Sequence, residues 1–376
     1  FIRKAAGLGV ASLEKDKERY EHKFEYCDLL VTGSGPSGLA SAYAAAKNGA
    51  KVILAEDKPR YGGTLLTDDV SIDNMSGKDW SEKIISELKT MPNVTLKNRS
   101  QVFGYYDHNM MVMFERVGDH LSNKSKYTPR QRLWYIRAKE TILSTGSIER
   151  PIVFGNNDTP GVVLSSAAKE YMKVYGVLVG RKPIIFTNND SAYETAFEFK
   201  KNNVEPIILD TREEHDSEVV QEAKNKGIQI KFSYGVIVAN GYKKVKSAKI
   251  GKLTKDKKSF ESTETINCDC ICVSGFWTPT VHLASQSGNK LKFDEKIDAF
   301  IPDKSKQNEK TIGAANGSFT LQETIESGFK TGSELSSKIT DKNNENKIPT
   351  VTETKYSVHD KFWCMPLPKN ENPKRF

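Results

Sequence analysis

With 376 residues, the chain is long enough for two domains with cores of their own, at roughly 100–200 residues each. Its hydrophobic residues, 37% of the total, come in dense blocks, which excludes a disordered chain, and no run approaches the roughly 18 apolar residues of a membrane-spanning helix. The formal charge of +8 is spread through mixed runs such as Lys252 to Lys258, so it reads as solvated surface and not as a nucleic-acid face.

Residues 1–24 read as a polar lead-in, with neither an initiator Met nor a signal-like apolar stretch behind Phe1-Ile-Arg-Lys4. Together with the ending Lys374-Arg-Phe376, that opening suggests a piece of something longer. Cys27 to Thr32 is a run built around Leu29-Leu-Val31, as a buried parallel strand requires. Pro36 to Asn48 is alanine-rich with a helical period, and Gly49 stands where a C-terminal cap belongs. Lys51 to Ala55 is a second buried strand, completing a βαβ unit. Asp79 to Thr90 is predicted as a helix ended by Pro92, and Val94 to Arg116 as an antiparallel meander. Residues 119–130 form a polar loop before a strand over Leu133 to Ser144.

Ser165 to Tyr175 is a predicted helix. A second βαβ unit follows: strand Pro183 to Thr187, helix Ser191 to Asn203, strand Pro206 to Asp210. Ile228 to Ile250 reads as another meander and Cys268 to Ser274 as a strand. Gly313-Ala-Ala-Asn-Gly317 then leads into a helix over Gln322 to Ile339, and residues 340–376 read as a linker or tail. Five cysteines do not suggest a disulfide framework, and the cytoplasm is the expected compartment. Cys268, Cys270 and Cys272 alternate along a strand, which is core-thiol spacing and not the Cys-x-x-Cys of a metal turn.

The sharpest chemical signal is Gly33-Ser-Gly35-Pro-Ser-Gly38, set between a strand and a helix. Gly33 permits the tight turn, Gly35 lets backbone approach a pyrophosphate, and Gly38 lets helix pack on strand. The helix N-terminus then offers free N–H groups and a positive dipole end to the phosphates. Glu56 closes the second strand, where an acidic side chain meets a ribose diol. A carboxylate there repels a 2′-phosphate, so NAD or FAD is favoured over NADP.

Glu56 is followed by Gly62-Gly63-Thr64, and Ile142-Leu-Ser-Thr-Gly146 closes a later strand. This set resembles the two-dinucleotide-binding-domain flavoproteins. The resemblance implies an α/β fold of two Rossmann-like FAD/NAD(P)-binding domains, each a parallel sheet with an antiparallel β-meander, the second inserted in the first. The expected division is a lead-in over 1–24, a first domain over 25–165 completed by 295–340, a second over 166–294, and a linker over 341–376 toward a missing C-terminal part.

More specific blocks are Phe1 to Gly9, Gly146-Ser-Ile-Glu-Arg-Pro151, Asp158-Thr-Pro-Gly161, Phe186-Thr-Asn-Asn-Asp-Ser-Ala-Tyr193, Ser274-Gly-Phe-Trp-Thr-Pro-Thr-Val-His282, Ser285-Gln-Ser-Gly288 and Leu291-Lys-Phe-Asp294. In these the chain resembles the alpha subunits of heterotetrameric sarcosine oxidases. That resemblance implies NAD in the first domain, with FAD the alternative, and an FMN at the interface with a beta subunit. It implies beta, gamma and delta partners, with sarcosine and tetrahydrofolate handled elsewhere in the complex. It further implies that Gly33, Gly35, Pro36, Ser37 and Gly38 line the pyrophosphate and that Glu56 holds the adenosine ribose. Asp57 and Lys58 would border the adenine, Val102 and Phe103 pack beside it, and Gly63 and Thr64 reach the phosphates or second ribose. Thr145, Gly146 and the Asn316 to Glu323 turn, with Leu321, would close the far end.

The second βαβ unit carries Thr187-Asn-Asn-Asp-Ser191 where a reductase would carry a second glycine-rich turn. Asn and Asp side chains crowd the room a pyrophosphate needs, so this half reads as kept for structure. No redox cysteine pair stands in Gly63-Thr-Leu-Leu-Thr67. Those two features argue against a self-sufficient NAD(P)H-dependent reductase. The nearer rival is the FAD-binding large subunit of an opine, proline or hydrogen-cyanide-forming amine dehydrogenase. No histidine is assigned to catalysis, and His282 reads as a packing residue.

Overall fold

The computed structural model describes residues 5, 7, 9–342, 344, 346–353, 359–366 and 373–374. The rest of the leading segment Phe1 to Gly9, and the ending Arg375-Phe376, lie outside the described residues.

The first sheet is built on β1 (Tyr20–Thr32), whose last residues are wholly buried and pair in parallel with β2 (Val52–Ala55). Between them runs α1 (Pro36–Lys47), alanine-rich because it must lie close to the sheet. After α2 (Gly77–Thr90), capped by Ser76 Oγ accepting from the Asp79 N–H, β3 (Val94–Lys97) joins β2 in parallel. That corrects the expected meander over Val94 to Arg116, which comprises only β4 (Ser100–Tyr106) and β5 (Met110–Arg116). Four half-buried residues behind a helix carry no two-residue alternation to distinguish the two cases. β6 (Gln131–Leu143) pairs antiparallel with β5 and parallel with β1, so it belongs to both the meander and the central sheet.

β1 begins at Tyr20, ahead of the Cys27 expected, and so the polar lead-in is shorter than residues 1–24. Tyr20, His22, Phe24 and Tyr26 alternate with Glu21, Lys23 and Glu25, a period-two pattern whose aromatic face is exposed, Phe24 at 80%. The opposite face carries Glu21, Lys23 and Glu25, and those charges are what made the segment read as polar.

The second sheet begins with β7 (Val162–Leu164), which runs directly into α3 (Ser165–Tyr175). β8 (Pro183–Thr187), α4 (Tyr193–Lys201) and β9 (Ile207–Asp210) form the second βαβ unit, all parallel. After α5 (Glu218–Asn225), β10 (Gln229–Phe232) extends this sheet in parallel, so the meander starts later than Ile228. It consists of β11 (Tyr234–Asn240), β12 (Ser247–Leu253) and β13 (Phe260–Asn267). β14 (Cys270–Ser274) inserts between β7 and β8. Cys268, Cys270 and Cys272 are all buried, as their spacing predicts, and no His/Cys/Asp/Glu group suited to a metal occurs among the described residues. His282 is exposed at the start of α6 (His282–Gln286) and packs in no core.

The chain returns to the first sheet through β15 (Glu309–Thr311), parallel to β6, and ends its regular part in α7 (Leu321–Thr340). This α/β fold of two Rossmann-like units, the second inserted in the first, is the expected class. α7 lies on α1 with almost nothing between them. A methyl on Gly328 would stand 2.5 Å from the Ser37 carbonyl oxygen, and one on Gly332 would stand 2.3 Å from that of Ser41. No helix among the described residues is long and apolar enough to cross a membrane.

The expected tail is partly folded. Val351–Thr352 pairs antiparallel with Ser71–Ile72, His359 is buried, and Met365 enters the core of the second unit. Short apolar residues spaced among Lys, Asn and Pro gave no periodicity from which to read this.

Candidate cofactor site

The turn from β1 to α1 is held by its glycines. Gly33, at φ 98°, donates to the Ala55 carbonyl at 2.8 Å, and a side chain there would meet the Ser144 carbonyl oxygen at 2.3 Å. A Cβ on Gly38 would sit 1.9 Å from the Gly33 carbonyl oxygen and 2.7 Å from Ser144 Oγ. Gly38 therefore serves the turn's own closure and its seat on the end of β6. Gly35 is different, because a Cβ there would meet nothing within 4 Å. It is the N-cap of α1, with Pro36 next, no side chain capping the helix and no acid in its first turn. The start of α1 thus carries no side-chain cap, and the side toward which a Gly35 Cβ would project is clear, as an anion cradle requires.

Three other stretches converge on that cradle. Gly63 packs so closely that a methyl on it would be 2.8 Å from Gly35 Cα, which brings Thr64 alongside. Gly313 bears on Ser37, with 2.5 Å from a built Cβ to Ser37 Oγ, so the short turn Gly313–Asn316 lies at the start of α1. Ser144 Oγ donates to the Thr32 and Gly33 carbonyls at 2.8 and 2.9 Å, holding the end of β6 against the same turn. Beyond it, Thr145 Oγ1 donates to the Thr280 carbonyl, and Gly146, at φ 71°, has open space where a side chain would be.

Glu56 is buried, at 6% exposure, and aimed back at the turn. Its Oε2 accepts from the Ser34 N–H at 3.0 Å and from Ser34 Oγ at 2.5 Å, while Oε1 accepts from the Lys58 N–H at 2.9 Å. Burial, and next the Asp57 carboxyl beside it, push Glu56 up to about 7. A carboxyl raised above its ordinary value contributes stability that is full below that ordinary value and is lost as pH rises through about 7. The nucleotide-free chain should therefore show a urea midpoint that falls between pH 5 and pH 8. Glu56→Gln should flatten that slope, and an unchanged slope would refute the assignment. The same substitution should weaken dinucleotide binding by about 1.5–3 kcal/mol.

The remaining expected residues divide. The Lys58 ammonium pairs with Glu170 on α3 at 2.7 Å, and the Asp57 carbonyl accepts from Arg116. Val102 is buried in the core beneath the meander, whereas the Phe103 ring is 46% exposed and its carbonyl accepts from Gln286 Nε2 at 3.3 Å. Asn316 is exposed, Leu321 is buried and the Glu323 N–H is capped by Thr320 Oγ1 at 3.4 Å. Sequence reasoning missed Glu353, whose Oε2 accepts from the Leu321 N–H at 2.7 Å and whose Oε1 accepts from the Gln322 N–H at 3.2 Å. It stands some thirty residues downstream in the supposed tail, with no local signal.

The second βαβ unit fills its own crevice. Asn189 Oδ1 accepts from the Ser191 N–H at 3.1 Å and from Ser191 Oγ at 2.7 Å, and Asp190 is fully buried. One Arg212 nitrogen lies 2.7 Å from both Asp190 Oδ1 and Asp210 Oδ2, and the Tyr193 hydroxyl donates to Asp210 at 2.8 Å. Asp210 ends β9 as Glu56 follows β2, so the position that could hold a ribose is spent on an internal ion pair. A carboxylate stands beside the start of α4, where an open dinucleotide turn would receive a phosphate.

The family described as FAD dependent oxidoreductase matches residues 28–111. Sarcosine oxidase subunit alpha of Rhizobium meliloti (strain 1021) is 37% identical over 315 residues, 84% of this chain and 31% of that one. The corresponding subunit of Corynebacterium sp. (strain P-1) is 34% identical, over 87% of this chain and 34% of its own. The crystal structure of L-proline dehydrogenase from P.horikoshii superposes with a TM-score of 0.63 at 20% identity, over 85% of this chain and 57% of that one, a likeness of fold. In fold the chain falls in the class of α/β proteins built of two Rossmann-like units. Within that class it is homologous to sarcosine oxidase subunit alpha, and it spans about a third of the length of those relatives.

Proposed function

We propose that this chain is the cofactor-holding segment of a sarcosine oxidase alpha subunit, with one dinucleotide site and with NAD bound there and not turned over. The observation that carries the reading is the contrast between the two βαβ units. In the first, α1 presents an uncapped N-terminus and an open face at Gly35, with Glu56 buried beside it. In the second, Asp190, Asp210 and Arg212 close the equivalent place. Gly33, Gly35, Pro36, Ser37 and Gly38 would hold the pyrophosphate, with Gly63 and Thr64 beside them. Glu56 would turn from Ser34 to a ribose diol, and Thr145, Gly146 and the start of α7 would bound the far end. Retained NAD would supply no hydride in this role and would fix the packing around the cradle.

In the complete complex, sarcosine, O2 and tetrahydrofolate would give glycine, hydrogen peroxide and methylene-tetrahydrofolate. The oxidation belongs to a beta subunit, an FMN lies at the interface with it, and gamma and delta subunits complete the assembly. The match to the FAD dependent oxidoreductase family favours one second reading, in which the same cradle holds FAD as in an amine dehydrogenase large subunit. On the leading reading the isolated chain should not reduce a dye acceptor with sarcosine. Turnover above a buffer blank would overturn it.

A further inference from the structure

α1 and α7 pack in parallel, since Ser37 meets Gly328 and Ser41 meets Gly332 in ascending order, and Asn48 Nδ2 then reaches Ser336 Oγ at 2.9 Å. Both helices therefore present their positive ends on the same side. Leu321 to Glu326 overhangs the start of α1, by about 9 Å at 1.5 Å per residue. Thr324, in that overhang, sits against Gly313, which itself bears on Ser37. The first turn of α7 thus runs from the pyrophosphate cradle toward the space that the second half of a dinucleotide would take. The end of α1 is open, whereas the end of α7 is filled by the carboxylate of Glu353, bonded to the Leu321 and Gln322 N–H groups. Glu353 is held in place by its neighbours Val351 and Thr352, which pair with Ser71–Ile72.

We propose that Glu353 sets cofactor choice, cancelling the positive end of α7 and so favouring a dinucleotide whose second ring is cationic over one whose ring becomes anionic. This rests on the dinucleotide reading of the cradle. The nicotinamide ring of NAD+ is positively charged and becomes neutral as NADH. An isoalloxazine is neutral when oxidised and gathers negative charge at N1 and the C2 carbonyl when reduced. A bare helix N-terminus stabilises such an anion, and charge near that edge tunes a flavin. A carboxylate holding those N–H groups withdraws the donors and adds a negative charge, which disfavours the flavin and favours NAD+.

The test strips nucleotide from the 376-residue chain and titrates NAD+, NADH and FAD by calorimetry, using wild type, Glu353→Gln and Glu334→Gln. Wild type should bind NAD+ roughly tenfold more tightly than NADH, the scale of a charge at a helix end. Glu353→Gln should bring that ratio close to one and raise the affinity for FAD relative to NAD+ roughly tenfold. Glu334→Gln removes a carboxylate from farther along the same helix, where it pairs with Lys338, and should leave both ratios as in wild type. Equal binding of NAD+ and NADH by wild type overturns the proposal, as do unchanged ratios in a folded Glu353→Gln chain. The NAD+/NADH comparison needs no variant, so it decides even where Glu353→Gln fails to fold. Wild type that binds none of the three overturns the dinucleotide reading itself, a result distinct from equal binding.

Discussion

Gly332→Leu is expected to leave no folded chain, and Gly332→Ala to lower stability by several kcal/mol. The obstacle to a Cβ at Gly332 is the Ser41 carbonyl oxygen, 2.3 Å away, with Ser41 Cα at 2.8 Å. Backbone on a packed helix cannot rotate aside as a long side chain would, so α7 has to lift off α1. The contact holds Phe329 and Leu335 against the core around Leu39, Ala42 and Ala46. Overpacking typically costs about 1–3 kcal/mol, and more where nothing can yield, against a total stability of about 5–15 kcal/mol. Urea unfolding of Gly332→Ala, set beside the exposed control Lys330→Ala on the same helix, checks this. Equal midpoints for the two would show that the helices are less intimate than described.

Gly35→Val is expected to give a folded chain that has lost its nucleotide. A Cβ at Gly35 meets no protein atom within 4 Å, and its φ of −66° suits any residue, so the apo fold has nothing to lose. The same atoms would fill the space where backbone has to approach a pyrophosphate. Losing two hydrogen bonds to a charged group, at about 1.5–3 kcal/mol each, weakens binding roughly a hundredfold or more. Gly38→Val makes the instructive contrast, because a Cβ there strikes the Gly33 carbonyl oxygen at 1.9 Å and should damage the fold itself. Circular dichroism and nucleotide content, measured on both variants, separate the two roles. Wild-type nucleotide content in Gly35→Val would remove the site from this turn.

The parts of the molecule legible in sequence are those whose cause is local. Gly33, Gly35 and Gly38 sit at fixed offsets because one turn imposes them, and the apolar runs at Leu29 to Val31 and Pro183 to Thr187 declare buried parallel strands. The crowding at Asn188, Asn189 and Asp190 was likewise readable, since side chains stand where glycines would be needed. Its electrostatic completion was not, because Arg212 reaches Asp190 through the fold and only its place two residues past Asp210 is local. Long-range causes hid the rest. Gly328 and Gly332 look like mild helix defects until Ser37 and Ser41 are found beneath them. Tyr20 to Tyr26 alternates correctly but exposes its aromatic face, which cancels the amphipathic signal. Glu353 acts on Leu321 and Gln322 from beyond an irregular stretch, and nothing in its neighbours marks it.

A single dinucleotide site holding NAD is tested most directly by denaturing extraction of the purified chain, with mass identification of what it releases. A colourless protein that releases close to one NAD per chain is the expected result. A yellow protein with visible flavin absorbance that releases FAD, or a release of two nucleotides per chain, would contradict it.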